Sequence, residues 1–582
     1  MDRQCARRRN YLSLVLVVLS VFLSALPALG NTLWTVTNTS DSGAGSLREA
    51  ITSASSGDVI QFDLPYPATI TVVTPLTFGP SVTITGPGAS NLTISGADNT
   101  QVFIVNTGAT VEISGLTVTH GSSLLGAGIF NAGTLTLDSV TVSNCTLGTQ
   151  LGGGIFNSGT LNLNNSLIDS NVAGTSTSYY NGGEGGGIYN YNGTLTVTNS
   201  KITNNSALGD LVYGQPVGGG IVNYAPGNVI LNGSTLSGNF APYGGAIDNA
   251  VGATLTMTNS TVSGNSSNAG GNGMANLGTM TIKASTISGN TTNPNCVCGG
   301  GPGTVTNSEG GGIDNNGSLT VTNSTIWGNS VIGFFGGGIA HYGSSLSMAF
   351  VTISGNTGGG LALPSFPIPL TVKNSIIAGN PFPGNCLVSS ESQTGSAGFN
   401  LSDDVTCSLM FNQPGDLNST PAGLSTAGLA NNGGLTQTVA ILITSPALNA
   451  VPVSPMDCTD TNGTAVTTDQ RGVHRPEGPA CDIGAFEYFQ TRLANEAVAT
   501  MLLIGQVQSL PVPKPTQLVL AVPLQAALDF INAGVVKPAS DLITGFIDLV
   551  HVAQGARVLT AQQAAPLVTS AQQIIQELSG NQ

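Results

Sequence analysis

Gly153-Gly154-Ile155-Phe156-Asn157, then Gly159-Thr160-Leu161-Asn162-Leu163, then Ser166-Leu167-Ile168-Asp169-Ser170-Asn171 is the stretch that decides the fold. Each piece alternates apolar and polar residues with period two, as a short strand with one buried face does. The unit returns around Ile129, Ile188, Ile221, Ile247, Ile313 and Ile339, with degenerate copies at Met274 and Leu361. Gly and Asn punctuate the pieces, where corners need positive φ. Three short strands and three corners cannot bury a face alone. Stacked at a strand spacing of about 4.8 Å, they share one continuous core. The expected fold is therefore all-β, a right-handed parallel β-helix, with about nine clear coils between Gly126 and Asn380.

Looser coils are expected earlier, at Ala68 to Val73, Val82 to Ile84, Leu92 to Ile94 and Val111 to Val118. Ser46 to Ile51 reads as a short capping helix, with Ser46 as N-cap and Glu49 three residues on. Where the repeat lengthens, loops bulge from one corner, chiefly at 173–184, 207–217 and 291–309. Asn131, Asn157, Asn190, Asn223, Asn249, Asn276 and Asn315 recur at one position and are expected to stack as an internal amide ladder. His341 takes that position in the next coil.

Composition narrows the function. Charged residues make up 7% of the 582, against ~25% in an average soluble protein. The net charge of −15, without a Lys/Arg cluster beyond residue 10, argues against nucleic-acid binding. Arg3 and Arg7 to Arg9 precede an apolar run that ends Ala28-Leu29-Gly30, so residues 1–30 read as a cleavable signal peptide. Once it is removed, no membrane-length segment is expected. Arg8-Arg9 leaves both the general and the twin-arginine export routes open. An oxidising compartment suits pairing of Cys386 with Cys407 and of Cys458 with Cys481. The states of Cys145, Cys296 and Cys298 are not fixed by their spacing.

The rhythm breaks after Asn380, and residues 381–490 hold Pro, Gly and the paired cysteines. Asp469, Arg471, Arg475, Asp482 and Glu487 concentrate charge there. They are read as a structural network that joins Arg471 or Arg475 to Asp482 and caps the last coils. Residues 491–582 read as a linker followed by a small α-helical bundle, with helices expected from Arg492, Pro523, Ser540 (as N-cap) and Thr560 (capping box with Gln563).

The Gly-Gly-x-Ile-x-Asn and Ser-Gly-Asn motifs resemble the β-helix repeats of bacterial surface proteins, on a pectate-lyase-like solenoid, and are related to polymorphic outer-membrane protein repeats. The opening Gly45-Ser46-Leu47-Arg48-Glu49-Ala50-Ile51 is similar to that group. Gly398-Phe399-Asn400-Leu401-Ser402, Asp469-Gln470-Arg471-Gly472 and Cys481-Asp482-Ile483-Gly484-Ala485-Phe486-Glu487 resemble the choice-of-anchor Q domain. That resemblance implies a bacterial extracytoplasmic protein and no known reaction.

Three readings of function follow. The first is a secreted or cell-surface protein, without catalysis, presenting an extended surface for adhesion or for a glycan or protein partner. Its candidate ligand-binding residues are Phe130, Phe156 and Tyr189, read as an outward aromatic stripe, and Tyr191 and Tyr224, which follow the ladder Asn in adjacent coils. The second is a polysaccharide lyase or inverting glycoside hydrolase. Asp248 and Asp314 are its candidate catalytic pair, two coils apart. A lyase reading lacks support, because Lys201, Lys283 and Lys373 are the only Lys or Arg between residues 120 and 380. The third is a structural spacer. No metal or cofactor site is expected.

Overall fold

The computed structural model describes residues 31–147, 151–175, 182–209, 217–268, 270–293, 309–332, 336–363, 368–388, 395–453, 457–488 and 490–579. Cys296, Cys298, Tyr179, Tyr180 and Tyr213, like the segment read as a signal peptide, lie outside them.

One coil shows the construction. Thr134–Asp138 turns at Ser139 (φ 56°) into Thr141–Ser143, and the chain turns again at Asn144 (φ 52°). It returns through Gly152 (φ 77°) to Ile155–Asn157. The next coil lies in register above it: Leu135 pairs with Leu161, Val142 with Ile168 and Ile129 with Ile155, all parallel. About 12 such turns make the parallel β-helix. A narrow 12-stranded sheet runs from Leu76–Phe78 to Cys386–Val388, and the other two ladders join in one 24-stranded sheet. They fuse where single strands, Ser318–Trp327 and Ser345–Ser354, pass straight through the corner. The loose early coils are present as Ala68–Thr71, Val82–Thr85, Leu92–Ser95 and Thr110–Ser114.

Side-chain size is fixed by the backbone spacing at one corner. A Cβ on Gly154 would stand 2.6 Å from the carbonyl oxygen of Gly187 in the next coil, and one on Gly187 just as close to that of Gly220. Only glycine lets the coils close to strand distance there.

Three polar columns run beside the apolar ones. In the first, the Asn131 side-chain amide donates to Asn157 at 2.7 Å, and the chain of donors continues through Asn190, Asn223, Asn249 and Asn276 to Asn315. Asn315 then donates to His341 Nδ1 at 2.9 Å. Since Nδ1 accepts, the proton sits on Nε2, which faces the Pro369 carbonyl at 3.2 Å. A second ladder, not foreseen from the sequence, joins Asn171, Asn205, Asn239, Asn265, Asn290, Asn329, Asn356, Asn380 and Asn385. Cys145 occupies its first position: its N–H donates to Asn171, and burial pushes its thiol up to about 12. Ser166, Ser200, Ser234, Ser260 and Ser285 form the third column, each hydroxyl accepting the N–H of the serine one coil before, or of Val140 in the case of Ser166.

A short helix, α1 (Leu47–Ser53), covers the first coils. Glu49 N–H donates to Ser46 Oγ as expected of the cap, while the Glu49 carboxylate accepts from Gly45 N–H, one residue before the cap. It shields the open end from edge pairing.

The segment after Asn380 departs from expectation in where it lies. It runs back along the flank of the 24-stranded sheet and does not only cap the last coils. Gln437 O accepts from Thr286 Oγ1, Thr468 O from Asn323, Gln470 Oε1 from Thr325, and Thr352 Oγ1 from the Ala485 N–H. Disulfides join Cys386 to Cys407 and Cys458 to Cys481. The charged network also differs in its partners. Arg475 pairs with Glu487 and Arg471 with Asp469, each at 2.7 Å and buried. The Asp482 carboxylate accepts N–H groups from Asn449 and Tyr488, while its carbonyl accepts from Arg475. Burial and the neighbouring Glu487 push Asp482 up to about 7. Arg475 also stacks over Phe350, with 4.2 Å from guanidinium carbon to ring centre. Arg475 thus ties this C-terminal strap to the corner of the sheet where Phe350 sits, and Arg471 ties the strap to itself through Asp469, Asn432 O and Glu487 O.

Four helices follow: α2 (Gln490–Gln508), α3 (Lys514–Asn532), α4 (Val536–Gly555) and α5 (Ala561–Ser579). They share one apolar core that includes Leu524, Ile543, Phe546 and Leu567. Thr560 and Gln563 form the expected capping box. The expected starts at Pro523 and Ser540 both fall inside helices, because α3 begins at the Lys514-Pro515 pair and α4 at Val536. Proline is tolerated in a helix's first turn, so the proline-rich stretch starts a helix where it was read as linker. Among the described residues no helix is long and apolar enough to cross a membrane.

Replacing a mid-ladder amide strands its neighbours' polar groups. Asn223→Ala is expected to cost on the order of 3 kcal/mol in urea unfolding, and exposed Asn232→Ala to stay within about 0.5 kcal/mol. Glu487→Gln should cost about 3 kcal/mol, since it leaves Arg475 buried without its charge partner.

Candidate functional site

The residue between Ile and Asn of each repeat forms one in-register column on the narrow sheet: Phe130, Phe156, Tyr189, Val222, Asp248, Ala275, Asp314, Ala340. Alternation points these side chains away from the β-helix core, as expected. They are not open to solvent, however. Just before each Gly-Gly corner the chain bridges from coil to coil, Leu125 to Leu151 to Glu184, and Val217 to Tyr243 to Gly270 to Glu309. This makes a rail along the sheet. Phe156 and Tyr189 are 6% and 3% exposed and pack under it with Val222, Leu151 and Val217. Phe130 is half-buried and stacks on Phe156, with ring centres 5.3 Å apart. The outward stripe of Phe130, Phe156 and Tyr189 is thus a satellite core, because rail residues supply the apolar cover that alternation alone does not reveal.

Tyr191 and Tyr224 differ. They follow the ladder asparagines, are 40% and 46% exposed, and stack on each other at 5.7 Å and 21°. From Tyr224 onward the column and rail shrink to Ala275 and Gly270, and the cover opens. A groove of about 500 Å³ results, lined by Tyr224, Tyr243, Asp248, Asp314 and Asn316, with exposed Val251 and Leu277 on its rim. Its volume falls in the range of small-molecule sites.

The structure brings Asp248 and Asp314 into this groove together. They are two coils apart, with Ala275 between, or about 10 Å by strand spacing. Each is 7% exposed. Burial pushes Asp248 up to about 7, helped by the charge of Glu184. Burial does the same to Asp314, with Glu309 and Asp248 adding repulsion and the Asn316 amide, donating at 3.0 Å, opposing it. Among the described residues Asp248 has no hydrogen-bond or ion-pair partner. Burial, Asp314 and Glu309 raise the Tyr243 phenol, and burial with Glu184 raises that of Tyr189. The groove is therefore an acidic, partly apolar trough lined by two carboxyls whose proton affinity burial raises.

Sequence reasoning missed the rail carboxylates Glu184 and Glu309 and the lining Asn316. The signal was present as their fixed offset before or after Gly-Gly-x-Ile-x-Asn, but the loops between repeats obscured it. Lys201 and Lys283 stand on the other sheet and do not reach the groove. Among the described residues no cluster of His, Cys, Asp and Glu could hold a metal ion.

Fold and site define a parallel β-helix repeat protein with an acidic, tyrosine-edged groove on one face. No protein-family model matches the chain, and no curated protein matches it.

The carboxyls carry a pH signature. Their folded-state pKa values lie above the ordinary 3.8, so protonation favours the folded state. This stabilisation is complete below pH about 4 and is lost as pH rises through about 7. The Asp248→Asn/Asp314→Asn variant should therefore lose less stability than the parent between pH 4 and 8, by on the order of a few kcal/mol in urea unfolding.

Proposed function

We propose that this is a secreted or cell-surface protein whose groove-bearing face binds glycan. The observation that carries the reading is the exposed Tyr191–Tyr224 stack at the mouth of a groove floored by two carboxyls. Tyrosine rings offer flat apolar faces to sugar rings, and carboxyl oxygens accept hydrogen bonds from sugar hydroxyls. A rigid rod of in-register coils holds both without reorganisation. The two disulfides support an oxidising, extracytoplasmic setting. The resemblance of residues 398–487 to choice-of-anchor Q domains and the basic-apolar start of the chain support cell-surface placement.

A second reading, inverting glycoside hydrolysis, is favoured by the carboxyl pair itself. A carboxyl that keeps its proton near neutral pH can act as general acid, and a two-coil strand spacing of about 10 Å stands near the upper end of the range for an inverting pair.

Titration of the mature chain with a polysaccharide panel separates these readings. Binding that weakens at least tenfold in Tyr191→Ala and Tyr224→Ala, without product, is the expected result. New reducing ends that vanish in Asp248→Asn would make the protein a hydrolase. Silence towards every polysaccharide would leave the spacer role.

A further inference from the structure

The groove carries more negative charge than its surroundings answer. Glu184, Asp248, Glu309 and Asp314 follow one another along the column and rail, each near enough to raise a neighbour's proton affinity. None of them joins the salt bridges found among the described residues. Asp248 is nine-tenths buried, lines the groove and has no hydrogen-bond or ion-pair partner among the described residues. A buried carboxyl left unpaired costs several kcal/mol unless it keeps its proton or meets a donor. A trough of one charge sign with apolar walls also focuses its field on what enters.

The complement is a cation that brings its own N–H donors. A single metal ion does not fit, because Asp248 and Asp314 stand about 10 Å apart and calcium needs several oxygens at 2.3–2.6 Å. A chain of rings with ammonium groups at intervals can reach both. We infer that the groove selects an amino-sugar polymer with free amines, its rings lying on Tyr224 and Tyr243 and its ammonium groups donating to Asp248 and Asp314. This rests on the glycan-binding reading and gives it a ligand class. Anionic uronate polymers are excluded by the same field.

The test is calorimetric titration of the full mature chain at low salt with four sugar hexamers, β-1,4-glucosamine, its N-acetylated form, cellohexaose and oligogalacturonate, and in parallel with oligolysine. The glucosamine hexamer should bind at least tenfold more tightly than cellohexaose, and oligogalacturonate not at all. Asp248→Asn, which removes the charge at nearly constant volume, should abolish the preference, bringing the affinity for the glucosamine hexamer to within about twofold of that variant's own affinity for cellohexaose. Asp314→Asn provides a second, independent readout. Equal binding of glucosamine hexamer and cellohexaose would overturn amine selection and leave glycan binding standing, whereas silence towards all four would overturn both. Tighter binding of oligolysine than of the glucosamine hexamer would assign the groove to a basic peptide and overturn the inference.

Discussion

Everything in this molecule depends on coils meeting in register at strand distance. Parallel pairing repeats the same residue type above and below itself, so each column must suit its own copy. Apolar columns satisfy this by stacking Ile on Ile and Leu on Leu. Asparagine satisfies it differently, since an amide is donor and acceptor at once and can pass a hydrogen bond along a column without loss. Two asparagine ladders and a serine column let buried polar groups line the core with partners at every step, and His341 ends one of them as a neutral acceptor. Register is thereby held, because a slip of one residue would turn every amide to the wrong face.

That same repetition explains why the groove is local. Where the column between Ile and Asn carries Phe, Tyr and Val, the rings pack beneath the rail and close the face. Where it carries Asp, Ala and Asp, no side chain among the described residues fills the space, and the rail is thin at Gly270. Carboxyls in such a column sit one above another in a half-dry setting, which raises their proton affinity and lowers stability near neutral pH. A charge-poor protein that keeps uncompensated acids at one place departs there from its own local rules, as functional sites do.

The C-terminal segment answers a different need. A parallel β-helix presents corners with polar groups that need partners, and the segment supplies them from far along the chain: Gln437, Thr468 and Gln470 meet Thr286, Asn323 and Thr325. Buried arginines hold this strap through carboxylates, carbonyls and aromatic faces together. Desolvating such ions is costly, and the density of donors and acceptors around Arg475 offsets it.

Period-two alternation with glycine and asparagine corners was enough to read the β-helix and the first amide ladder, as cysteine spacing was for both disulfides and capping-box patterns were for the Ser46 and Thr560 caps, because each rests on contacts close along the chain or between neighbouring coils. Asp248 and Asp314 were legible as a pair for the same reason: column position and coil count place them. The burial of Phe156 and Tyr189, the groove beside Tyr224 and the lateral course of the strap were not. These depend on what lies across an irregular loop or on a segment more than a hundred residues away, and alternation says which way a side chain points but not what covers it. Local pattern determined the rod. Tertiary packing decided which part of its surface stays open, since solvent exclusion depends on neighbours that sequence periodicity does not encode.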